Sequence, residues 1–166
     1  MTHVDHIDLR LLGLLQDDAG LSNQDLAAAA HVSPATALRR VRRLTESGAI
    51  ERRIALLSSE KLRTGLQVLV EVQLDRQGAE HLDAFEAIAV AETAVQQCWR
   101  VSPGPDFVLV LWLVDMAAYN LLVQRLFTQQ ANVRNVKSFF AVKRAKFAPR
   151  IDLAAAQASA GPPQAA

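Results

Sequence analysis

At Leu66 the hydrophobic period of this chain switches from that of a helix to that of a strand, and the switch divides the fold in two. Leu66, Val68, Val70, Val72 and Leu74 fall on one face of an extended segment, with Gln67, Leu69, Glu71 and Gln73 on the other. Upstream, the apolar residues Ile7, Leu11, Leu12, Leu14 and Leu15 recur at helical spacing. A chain of 166 residues has room for one domain or two small ones. With 51% hydrophobic and 21% charged residues it has enough apolar mass to fold.

The first fifty residues read as three short helices. Asp5-x-x-Asp8 starts the first, and Gly20 ends it. Ser22-Asn-Gln-Asp25 is a capping pattern ahead of Leu26 and a run of alanines. His31-Val32 is a turn, and Ser33 caps a third helix whose first position is Pro34, where the missing N–H costs nothing. That helix runs through Leu44 and stops near Gly48. Helix, short turn and arginine-rich helix make the outline of a helix-turn-helix. Ile50 to Leu57 alternates enough to predict a short strand, the wing of a winged version.

Residues 58–65 read as a linker. Beyond it come the strand at Leu66, a helix over Gly78 to Val90, strands over Val95 to Val101 and Phe107 to Leu113, a helix capped by Asp115, and a strand over Val133 to Val142. The order β-α-β-β-α-β is ferredoxin-like, so the fold class is α+β. Phe107 to Val114 is apolar on both faces, whereas a sheet with helices on one side shows alternation. Something covers the second face, and a second copy of the same sheet predicts a homodimer. The expected boundaries are 1–57 for the winged helix-turn-helix, 66–150 for the ferredoxin-like domain and 151–166 for a disordered tail.

The net charge of +1 conceals an uneven distribution. Between Ser33 and Arg53 six arginines stand against Glu46 and Glu51, and between Arg134 and Arg150 there are six basic residues and no acid. Phosphate charge is felt over about 8–10 Å, so the local patch matters rather than the total. On a wheel of about 100° per residue, Ala37, Val41, Leu44 and, at the edge, Leu38 form the buried arc of the third helix. Ala35, Thr36, Arg39 and Arg43 lie opposite, with Arg40 and Arg42 on the flanks. Such a helix suits a major groove about 12 Å wide. Ala35 and Thr36 are placed to meet base edges, and Arg39 to make a bidentate guanine contact. Arg40, Arg42, Arg43, Arg52 and Arg53 are read as phosphate clamps, together with the N–H groups at Ser33. A merely solvated charged face is the plain alternative.

Asp5-His-Ile-Asp-Leu-Arg-Leu-Leu, Ser22-Asn-Gln-Asp-Leu-Ala27, Val32-Ser-Pro34, Leu38-Arg-Arg-Val-Arg-Arg-Leu44, Glu46-x-Gly-x-Ile50 and Asp115-Met-x-x-Tyr119 resemble, in order and spacing, the Lrp/AsnC family of prokaryotic transcription regulators. The resemblance covers about residues 4 to 150. It implies a winged helix-turn-helix, an effector and oligomerisation domain, dimers that assemble into tetramers or octamers, double-stranded DNA as partner, and control by an amino acid or related metabolite. It also implies an effector site near the loop of pattern Ser-Gly-x-x-Asp-(Tyr/Phe), here Ser102-Pro-Gly-Pro-Asp106-Phe107. Asp106 and Phe107 match, but the glycine position is Pro103, with Gly104 one residue later. Proline fixes φ and removes an N–H donor. A pocket rebuilt around Ser102, Gly104, Asp106, Phe107 and Ser138, and a vestigial pocket, both remain open.

No glycine-rich phosphate loop, nucleophile elbow or HExxH helix occurs, and no convergent acid–base set. The expectation is a non-enzyme without cofactor or metal. His3 and His6 beside Asp5 and Asp8 read as solvated residues at a helix start. Cys98 reads as a packed strand residue. Met1-Thr-His-Val-Asp-His has no cationic segment followed by an apolar one, so neither signal peptide nor membrane span is expected, and the location is cytoplasmic. Two other functions stay in view: an architectural DNA-binding protein without effector, and a ferredoxin-like metabolite-binding or catalytic protein whose helix-turn-helix contacts protein.

Overall fold

Three capped helices open the chain in the computed structural model, which describes residues 4–62 and 65–153. They are α1 (His6–Asp17), α2 (Asn23–Ala30) and α3 (Pro34–Glu46). Asp5 accepts from the N–H groups of Ile7 and Asp8 at 2.9 Å each, and Asp8 returns the favour by accepting from Asp5 N–H at 3.1 Å. Ser22 accepts from Asp25 N–H, and Ser33 from Thr36 N–H. His31 supplies the left-handed residue of the turn, at φ 56°. Leu11, Leu26, Ala27, Ala30 and Ala37 form the core among these helices. Alanines there let α2 and α3 approach closely.

The strand expected over Ile50 to Leu57 does not form: residues 51–57 are irregular. A strand needs a partner for its N–H and C=O groups, and none of the four strands described here pairs with it. Within the expected linker, Ser59–Leu62 makes one helical turn, α4.

The second unit follows the expected order: β1 (Leu66–Leu74), α5 (Ala79–Ala91), β2 (Val95–Arg100), β3 (Phe107–Leu113), α6 (Met116–Val123) and β4 (Val133–Phe140). The last turn of α6 widens into a π-turn over Gln124–Thr128. The four strands make one antiparallel sheet in the order β2-β3-β1-β4. Val68, Val70, Val72 and Leu74 of β1 and Phe107, Leu109, Leu111 and Leu113 of β3 are buried on the helix-covered face, against Phe85, Ala89, Leu122, Leu126 and Phe127. Val108, Val110 and Trp112 alternate to the other face and are half-buried, and Leu69, Trp99 and Phe139 stand exposed there. No helix of the described residues in this unit packs on this face, so the apolar character on both sides of β3 is accounted for on one side only.

Gly65 precedes β1 at φ +85°, and a Cβ there would sit 2.3 Å from the Trp112 indole nitrogen. Only glycine has both the conformation and the clearance.

By packing, the chain divides into Met1–Leu56 with Phe147–Ala166, and Leu57–Lys146. Residues 147–150, expected with the ferredoxin-like domain, therefore group with the helices. Ile151, expected to begin a free tail, is held on both backbone groups by Gln16: its N–H donates to Gln16 Oε1 at 2.8 Å and its C=O accepts from Nε2 at 3.1 Å. Arg150 pairs with Asp17. The rest of the expected tail, 154–166, lies outside the described residues.

Candidate nucleic-acid interface and ligand pocket

Helix α3 is fixed at its start by Ser33 and by Asn23, whose Nδ2 donates to the Pro34 carbonyl at 2.9 Å. Ser33 Oγ also bonds Thr36 Oγ1 at 2.9 Å, so both hydroxyls have a partner inside the turn. Ala35, Arg39, Arg42 and Arg43 are exposed, and Thr36 is half-buried. Arg39 has no hydrogen-bond or ion-pair partner among the described residues. Arg42 pairs with Glu46 one turn on, at 2.7 Å between exposed groups. Arg52 and Arg53 lie exposed on the irregular segment after α3. Leu38, placed by the wheel at the edge of the buried arc, is 60% exposed.

Arg40 requires a correction. Its Nη1 donates to Asp5 Oδ2 at 2.6 Å and to Asp8 Oδ1 at 2.9 Å, its side chain is 18% exposed, and its Nε–H is buried without a partner among the described residues. It ties α3 to α1 and is not free to clamp a phosphate. Arg43 is intermediate: one Nη2 is on Asp8 Oδ2, and the side chain is 46% exposed. Asp8 itself is wholly buried, so Asp5 and Asp8 cap α1 but are not solvated as the sequence led us to expect: they also anchor α3. Burial alone raises the Asp5 carboxyl, but hydrogen bonds from the Asp8 N–H and the Arg40 guanidinium, with the arginine charge, bring it down to about 2. Arg40 is correspondingly raised, chiefly by its bond to Asp5.

In the sheet unit, the loop between β2 and β3 keeps a positive φ one residue later than the family pattern, at Gly104, φ +127°. Asp106 is spent on structure: Oδ2 accepts from Leu74 N–H at 2.7 Å, its N–H donates to the Val72 carbonyl at 2.9 Å, and its carbonyl accepts from Val101 N–H at 3.0 Å. Phe107 is wholly buried, its ring centroid 4.9 Å from that of Phe85. Ser138 pairs in register with Val70 and so lies on the helix-covered face, where its Oγ accepts from Tyr119 Oη. Ser102 is exposed in the loop. The five expected effector residues therefore do not converge; Gly104 borders a cavity beside which the other four do not stand.

That cavity, of about 230 Å³, lies on the open face and is lined by Glu71, Gln73, Gly104, Pro105, Asn135 and Lys137. Glu71 and Lys137 are register partners across β1 and β4 and form no ion pair with each other. The parity of β1 had put Glu71 and Gln73 on that face, but nothing in the sequence identified them as pocket residues. Only the pairing of β1 with β4 brings Asn135 and Lys137 beside them.

Two family models match the chain: an Lrp/AsnC ligand binding domain over residues 67–151, and a winged helix-turn-helix DNA-binding model over residues 4–51. The chain is similar to the Bkd operon transcriptional regulator of Pseudomonas aeruginosa, 36% identical over 143 residues, covering 86% of this chain and 94% of that protein. Among solved structures it is similar to an AsnC family transcriptional regulator from Agrobacterium tumefaciens, with TM-score 0.79 and 30% identity over 90% of this chain and 97% of that one. It is likewise similar to a transcriptional regulator from Neisseria meningitidis in complex with L-Met, with TM-score 0.79 and 27% identity, covering 92% and 98%.

Proposed function

The chain belongs to the Lrp/AsnC family of transcriptional regulators, and from that premise we propose that it reads a specific duplex sequence through α3 and responds to an amino acid in its sheet unit. The observation that carries the DNA reading is the contrast along α3. Arg39 is exposed and has no hydrogen-bond or ion-pair partner among the described residues, while Arg40 beside it is tied to α1. A free guanidinium on a helix whose start is fixed by Ser33 and Asn23 can offer two parallel donors to guanine O6 and N7. Arg42, Arg43, Arg52 and Arg53 surround it with charge for phosphates.

The open sheet face supports the assembly. Leu69, Val110 and Phe139 lie in one cross-strand row, with Trp112 adjacent, an apolar strip of the kind that a partner surface buries. We read the occupant as a second copy, which gives a two-fold dimer with its α3 helices about 34 Å apart in successive major grooves. The same face has a charged half. Glu71 and Lys137 in one small cavity present opposite charges to the ammonium and carboxylate of an α-amino acid, and Gln73 and Asn135 add neutral donors and acceptors. A cytoplasmic location fits this reading.

The test is selection from a randomised duplex library, with and without a pool of amino acids. Enrichment of a near-palindrome, with affinity shifted by the pool, is the expected result. Binding without enrichment would overturn the specific reading in favour of an architectural role.

A further inference from the structure

Three polar hydrogens converge on the buried carboxylate of Asp8: the N–H of Asp5, Nη1 of Arg40 and Nη2 of Arg43. The two arginines differ in what else they do. Arg40 also holds Asp5 at 2.6 Å and is withdrawn from solvent. Arg43 has Asp8 as its one ion-pair partner among the described residues, yet nearly half of its side chain faces out. A guanidinium is planar, with donors on fixed edges. Bonding one Nη to a rigid, buried carboxylate therefore restricts where the outward-facing donors can point. A donor oriented in advance loses less freedom on binding.

We propose that Asp8 is a positioning residue for DNA binding, acting through Arg43: it aims the outer edge of that guanidinium at a backbone phosphate. This rests on α3 being the DNA-reading helix, as argued above. The bond from Arg40 to Asp5 makes the two arginines separable, because it still ties α3 to α1 when Asp8 is neutralised.

The sign of one substitution decides the matter. Asp8→Asn removes a negative charge from beneath a helix that meets phosphates, so simple electrostatics makes DNA binding tighter. An amide keeps one acceptor oxygen, too few for three donors, and lacks the charge that holds the Arg43 guanidinium, so positioning makes binding weaker. With the full chain and fluorescence anisotropy on a selected duplex and a scrambled one, the expected result for D8N is a loss of about tenfold on both. The salt slope should be unchanged, since every cation remains. Arg43→Gln should lose similarly and flatten the slope by about one phosphate contact. In that R43Q background D8N should cost no more than about twofold.

Unchanged or tighter binding by D8N overturns the proposal, and so does a D8N loss that persists in full beside R43Q. Should D8N lose its helical circular dichroism, Arg43→Lys decides instead. Lysine keeps the charge but lacks a second edge, so a D8N-sized loss at unchanged slope is expected, and wild-type affinity overturns the proposal. A wild-type protein that binds neither duplex overturns the DNA reading itself, which is a separate result.

Discussion

Tyr119 Oη donates a hydrogen bond of 2.7 Å to Ser138 Oγ, joining α6 to β4 on the helix-covered side of the sheet. The same tyrosine meets Phe140 edge-on, with ring centroids 5.0 Å apart. Ser138 is thus part of how the sheet holds its second helix. Ser138→Ala removes that partner from a half-buried phenol and should cost about 1 kcal/mol in urea unfolding. It should leave amino-acid binding by calorimetry unchanged. A ligand affinity that falls with a stability that does not would return Ser138 to the pocket.

Asp5 gives the N-terminal unit an acid-sensitive contact. Its carboxyl is lowered from 3.8 to about 2, so the folded state favours the ionised form. The stability it contributes is complete above about pH 4 and is lost as the pH falls toward 2. Thermal melts of the wild type and Asp5→Asn should differ most above pH 4 and converge below it. A gap that widens in acid contradicts the assignment.

Gly65→Ala combines a left-handed backbone with a Cβ driven into the Trp112 ring. The expected cost is about 1–3 kcal/mol, with a change in tryptophan emission because the indole must move. Unchanged stability and emission would show that the strand entry is looser than described.

Lys137→Gln removes one of the two charges that face the cavity beside Gly104. If the cavity takes an α-amino acid, calorimetry should show about tenfold weaker binding, since a charge-assisted hydrogen bond is lost. Folding should be little affected, because Lys137 is exposed.

What the sequence disclosed follows from how local each interaction is. The caps at Asp5, Ser22 and Ser33 close within three residues, and the alternation of β1 and β3 is written in adjacent positions, so helices, strands and their order were legible. The burial of Phe107 was legible too, in its parity with Leu109 and Leu111. Arg40 could not have been placed. A wheel puts it on a flank of α3, and only the packing of α1, 35 residues upstream, reveals two carboxylates on that side. The commitment of Asp106 to Leu74, and the meeting of Glu71 with Lys137, likewise depend on pairings between distant segments. The wing at Ile50 to Leu57 failed for the converse reason: alternation was present, but no strand among the described residues pairs with it.

Arg39 tests the central claim most directly. Arg39→Ala should lose about 1–3 kcal/mol on the selected duplex, relax base preference at one position, and leave folding intact, because the side chain is exposed and has no hydrogen-bond or ion-pair partner among the described residues. Measured by anisotropy against selected and scrambled duplexes at two salt concentrations, the loss should fall on the selected sequence. Equal loss on both duplexes would make Arg39 one more phosphate contact and contradict a reading helix centred on it.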